Sequence, residues 1–156
     1  MSQETGVLMI NPFSLKATLL ARHAQHVVLI HFPIALFISA VVFDWIAHRT
    51  KKNEFADTAY YSLLAAAISA LPVLVTGIFA WRFQLEGQKL KGILLWHVIL
   101  ACLTSVTICW AWWLHFRARY RTHALPKYRL AVELVGVGFV VITAHLGGVL
   151  SGVIGT

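Results

Sequence analysis

The sequence predicts an all-α integral membrane protein, a bundle of four transmembrane helices. Three observations carry that expectation. Of 156 residues, 59% are hydrophobic and only 12% charged, whereas a soluble domain is about 45–50% apolar and about 25% charged. The mean hydropathy of +0.75 is too high for a surface that faces water on all sides. The apolar residues also fall into four continuous runs, each as long as the roughly 20 residues a helix needs to cross a bilayer. Runs of this kind read as helices, which satisfy their own backbone groups in lipid; a barrel would show alternation.

The first run is Val27–Ala47 (VVLIHFPIALFISAVVFDWIA) and the second Ala59–Trp81 (AYYSLLAAAISALPVLVTGIFAW). The third is Ile93–Phe116 (ILLWHVILACLTSVTICWAWWLHF) and the fourth Leu130–Ile154 (LAVELVGVGFVVITAHLGGVLSGVI). Polar or basic patches (HRTKKNEFAD, RFQLEGQKLKG and RARYRTHALPKYR) separate them. Pro33 and Pro72 lie inside the first two runs, where a missing N–H frees a carbonyl and favours a kink. Trp45, Trp81, Trp110, Trp112, Trp113, Tyr60, Tyr61 and Tyr128 fall mostly near the run ends, as aromatic interface belts do. Cys102 and Cys109 are seven apart on one helix, about 10 Å along its axis, too far to bridge.

Residues 26–156 form the predicted transmembrane domain, and residues 1–25 a tail. Within the tail, Asn11–Gln25 spaces leucine and alanine at helical intervals around Lys16 and Arg22. That pattern suits an amphipathic helix lying on the membrane, or a partly ordered tail. No cleavable signal peptide is expected, because no charged segment precedes the short apolar stretch at residues 7–13.

The net charge is +7, yet the basic residues sit in short blocks between apolar runs. That placement belongs to membrane loops and excludes a nucleic-acid-binding face. The segments after runs one and three hold Arg49, Lys51, Lys52, Arg117, Arg119, Arg121, Lys127 and Arg129. The opposite side holds Lys16, Arg22, Arg82, Lys89 and Lys91. The positive-inside rule therefore places the first group in the cytoplasm and both termini outside.

Histidine is the chemically informative residue. His48, His115 and His123 adjoin basic loop residues and are expected to be solvated or at the headgroups. His26, His31, His97 and His145 come from three different predicted helices, His26 at the very start of the first, but share one half of the membrane, within one or two turns in depth. Ionisable residues inside a membrane are costly and usually face a partner in the bundle. The acids nearest to membrane depth, Asp44 and Glu133, lie toward the other side. Neutral imidazole is the commonest metal ligand and a standard axial ligand of haem.

A compact copper or zinc ion needs three or four ligands at one point. His26 and His31, five residues apart, diverge by about 140° on a straight helix, which suits haem better. The sequence thus predicts a b-type cytochrome-like subunit with one or two non-covalent haems. His31 would pair with His145 or His97, leaving His26 and the remaining histidine for a second haem. No C-x-x-C-H is present for covalent attachment. Gly136, Gly138, Gly147, Gly148, Gly152 and Gly155 allow close approach of a ring or of a neighbouring helix. The alternatives are a cofactor-free accessory subunit packing on a larger partner, and a copper- or zinc-binding membrane protein. A stand-alone enzyme is disfavoured, since G-x-S-x-G, P-loop and H-E-x-x-H motifs are all missing.

HVVLIHFPIALFISAVVFDW, LPVLVTGIFAW, LLWHVIL and HLGGVLSGV resemble the domain-of-unknown-function 2231 (DUF2231) family of four-helix bacterial membrane proteins. The resemblance runs from His26 to the C-terminus, and the helix-one motif is its specific part. The family pattern resembles H-P-x-x-V-H-F-P-I-A-L; here Val27 stands for its proline and Ile30 for its valine, and Ser151-Gly152 replace a later Val-Tyr. The resemblance implies a haem-associated or redox role, with His26, His31 and His97 in family positions. His145 matches the form whose last helix ends in HLGG. The expected setting is the bacterial inner membrane, among subunits of a larger respiratory or dehydrogenase complex, with quinone as a candidate electron partner.

Overall fold

A computed structural model describes residues 22–83, 85–122 and 124–152. The order is α1 (Arg22–Thr50), α2 (Asn53–Phe83), α3 (Gly92–Arg117) and α4 (Arg129–Leu150), with a π-helical turn, Ala118–Thr122, prolonging α3. All four are long and apolar enough to cross a membrane, and no strand occurs among the described residues. The expected surface helix at Asn11–Gln25 lies mostly outside them; only Arg22–Gln25 are seen, in the first turn of α1.

The first three helices outlast their apolar runs at both ends. In α2 the extra turn starts at Asn53, with Glu54 near the helix N-terminus, where negative charge is favoured. Thr58 Oγ1 donates back to the Glu54 carbonyl at 2.8 Å. Beyond α3, the Arg119 guanidinium pairs with Asp57 and lies over the rings of Tyr60 and Tyr61, which ties the π-helical turn to α2.

Only Lys51 and Lys52 join α1 to α2. Lys51 takes the left-handed conformation (φ +59°), and its N–H reaches the Ala47 carbonyl at 2.8 Å, closing α1 tightly. So short a link forces α1 and α2 to run antiparallel and pack along their length. The α3–α4 hairpin packs next most extensively, and contact between the two hairpins is sparser. His26, His31, His97 and His145 therefore share one end of the bundle, here the histidine end; Asp44, His115 and Glu133 mark the other.

Phe37, Ala40, Val41, Leu63, Ala66, Ala67, Ile108, Ala111 and Val140 form the core. Its alanines let helix backbones approach without a hydrophobic driving force, which lipid does not supply. Large side chains such as Phe32, Ile68, Leu71, Val106 and Leu134 are exposed, as a lipid-facing surface requires. Gly136 is the tightest point. A Cβ there would lie 2.7 Å from Phe37 Cζ and 2.9 Å from Thr107 Cγ2. Gly136→Ala is therefore expected to cost about 1–3 kcal/mol, read as a lowered midpoint of thermal unfolding in detergent.

The two hairpins echo each other. His26 to Asp44 on α1 and His97 to His115 on α3 are both separations of 18 residues. That is about five whole turns at 3.6 residues each, so both members of a pair stand on one face, about 27 Å apart.

Candidate functional site

At the histidine end, two imidazoles are each held to the partner helix through Nδ1, beside a glycine. His26 Nδ1 lies 3.1 Å from Thr76 Oγ1 on α2. Thr76 turns its single hydroxyl proton to helix carbonyls, those of Pro72 at 2.9 Å and Val73 at 3.1 Å. Its oxygen is thereby left to accept from His26. The neighbouring Gly77 leaves room for the ring, since a Cβ there would sit 3.2 Å from His26 Cε1. In the second hairpin His97 Nδ1 donates to the Thr143 carbonyl of α4 at 3.1 Å. Gly147 makes the matching space, where a Cβ would sit 3.1 Å from His97 Cε1. Thr104 and Thr143 hydroxyls bond at 3.2 Å and fix α3 against α4 beside it.

His31 differs. Its Nδ1 donates to the Val27 carbonyl of its own helix at 2.7 Å, and its side chain is exposed. His145 is exposed as well. Of the four histidines predicted as ligands, then, His26 and His97 are seated between helices and His31 and His145 face outward. His26 and His97 belong to different hairpins, and each is clamped to its own partner helix.

The donor chemistry is that of an imidazole able to ligate a metal through Nε2. A carbonyl can only accept, so His31 and His97 carry a proton on Nδ1, and the Thr76 hydroxyl oxygen is placed to accept the same proton from His26. On neutral His31 and His97, Nε2 then keeps its lone pair. An imidazole whose Nδ1–H is fixed by an oxygen is the usual form of a metal-bound histidine. The glycines beside two of the rings let those imidazoles lie close against the partner helix.

The other end holds a network that the sequence reading missed. Asp44, Glu133 and His115 are 0%, 1% and 4% exposed, and Arg129 is buried with them. Arg129 Nε donates to Asp44 Oδ2 at 2.7 Å, and an Nη approaches His48 Nδ1 at 3.4 Å. His115 Nε2 lies 3.0 Å from Glu133 Oε1. The expectation that His115 is solvated is thus corrected. Arg117 and Arg119 flank it in sequence, but its own face of α3 turns inward to a buried carboxylate. His48 is exposed as expected, and His123 lies outside the described residues. Arg129, read as a loop charge, is drawn into the bundle by Asp44. Arg129 and Glu133 stand four apart on one face of α4, and the repeated 18-residue spacing carries His115 to the level of Asp44. Those two signals could have located the network.

The family description "predicted membrane protein (DUF2231)" matches residues 22–156, a span that includes every described residue. The chain belongs to the DUF2231 family. Membership agrees with four helices that can span a bilayer and makes this DUF2231 protein a membrane protein. No curated protein matches the chain, and no solved structure does.

Proposed function

We propose that this DUF2231 protein is a b-type haem-binding electron-transfer subunit, with His26 and His97 as the axial ligands. The observation that carries this reading is the paired clamp: one imidazole from each hairpin, oriented through Nδ1 and seated on a glycine. The internal repeat supports the choice of pair. His26 and His97 stand on the same faces of α1 and α3 as Asp44 and His115, whose ligand atoms come within 4.8 Å of each other. His31 and His145, both exposed, are not needed for a single haem.

A haem bound there supplies one-electron exchange. The chain's own part is to present Nε2 lone pairs, to hold the rings through Thr76 and the Thr143 carbonyl, and to surround the site with apolar helix. The excess of Lys and Arg at the Asp44 end supports a cytoplasmic location for that end, with the histidine end toward the outer face of a bacterial inner membrane. The electron partner there is another subunit of a membrane redox complex, or a quinone. Acid–acetone extraction of the protein purified in mild detergent, with its partners, is expected to release one haem b per chain. Folded protein that yields no haem would overturn the reading.

A further inference from the structure

We infer that Asp44, His115 and Glu133 form a binding site for a first-row divalent metal ion of the manganese, iron or zinc kind. This inference does not rest on the haem reading and concerns the opposite end of the bundle. The three side chains come from α1, α3 and α4, and one ligand atom of each lies within 4.8 Å of the others. All three are more than nine-tenths buried.

Which oxygens are partnered is the telling detail. Asp44 Oδ2 is taken by Arg129 and Glu133 Oε1 by His115, while Asp44 Oδ1 and Glu133 Oε2 have no hydrogen-bond partner. Buried carboxylate oxygens without donors are costly. Asp44 and Glu133 against Arg129 leave one negative charge when His115 is neutral. A proton on His115 would balance that charge but would leave both oxygens bare; a cation reaches them. A ligating carboxylate whose second oxygen is held by a fixed donor, as Arg129 holds Asp44, is the common arrangement around metals.

The distances suit an ion. An ion would displace the proton that His115 Nε2 shares with Glu133 Oε1 and take both atoms as ligands: donors at right angles on a metal with bonds of about 2.1 Å are about 3 Å apart, and these two are 3.0 Å apart. Donors on opposite sides would be about 4.2 Å apart, so ligand atoms that already lie within 4.8 Å of one another need contract by no more than about 0.6 Å to close on an ion. One imidazole with two carboxylates favours manganese, iron or zinc over calcium and magnesium, which prefer all-oxygen ligands, and over copper(I), which prefers sulfur. A cleft of about 300 Å³ at this end of the bundle has Asp44, His48 and Arg129 among its lining residues.

The test uses the full chain in detergent, stripped with EDTA, incubated with Mn²⁺ or Zn²⁺, desalted and analysed by mass spectrometry for metal. One ion per chain is expected in the wild type and in a His26→Ala/His97→Ala variant, with at least tenfold less in Asp44→Asn and Glu133→Gln. X-ray absorption at the zinc edge of the wild type should show a single imidazole among oxygen ligands, which decides the matter if the variants do not fold. Failure of the wild type to retain metal would overturn the proposal. So would retention unchanged in Asp44→Asn and Glu133→Gln, loss confined to the His26/His97 variant, or an absorption spectrum without imidazole.

Discussion

Replacing Arg129 with methionine is expected to destabilise the bundle by about 3–5 kcal/mol, the cost of leaving a buried charge uncompensated. Arg129 is the only buried cation beside Asp44 and Glu133 among the described residues that is charged whatever the pH. Its Nε holds Asp44 Oδ2 at 2.7 Å, and Asp44 itself is fully buried. Without the guanidinium, two carboxylates face one another across α1 and α4 with only His115 to offset them. The loss lies in the broken pair and not in the missing alkyl volume, which methionine keeps. A second substitution, Asp44→Leu, should therefore recover most of the stability, since apolar replacement of a whole buried pair is close to neutral. Thermal or SDS-induced unfolding of metal-stripped protein in micelles, followed by helical circular dichroism, reads both steps. A single variant as stable as the wild type would show that the pair is solvated in the membrane.

The second large effect belongs to the histidine end. His97→Ala and His26→Ala are each expected to remove at least nine-tenths of the bound haem, because a bis-histidine iron that loses one axial ligand also loses half its anchorage between the hairpins. His31→Ala and His145→Ala should retain it, as those side chains are exposed and on other faces. Haem content normalised to protein in each purified variant measures the contrast. Retention by His97→Ala together with loss in His31→Ala would reassign the ligands.

The contrast between the two ends shows what a linear sequence reveals. The four spans were legible because lipid demands long uninterrupted apolar helices, and no tertiary contact is needed to read them. The depth of His26, His31, His97 and His145 followed from counting residues along those spans. Which of the four face inward did not, since that depends on how α1 turns against α2 and α3 against α4. Thr76-Gly77 and Thr143 with Gly147 settle it, and their role appears only when the histidine rings are in place. The buried network was missed for a different reason. Flanking arginines made His115 and Arg129 look like loop residues, whereas helical geometry carries Arg117 and Arg119 onto exposed faces and turns His115 inward.

In the proposed function, one imidazole from each hairpin binds the same iron. Electron paramagnetic resonance of the oxidised protein tests it most directly. A low-spin ferric signal of bis-imidazole type is expected in the wild type, converted to high spin or lost in both His26→Ala and His97→Ala. A signal unchanged by either substitution, or no haem signal from folded protein purified with its partners, would contradict it.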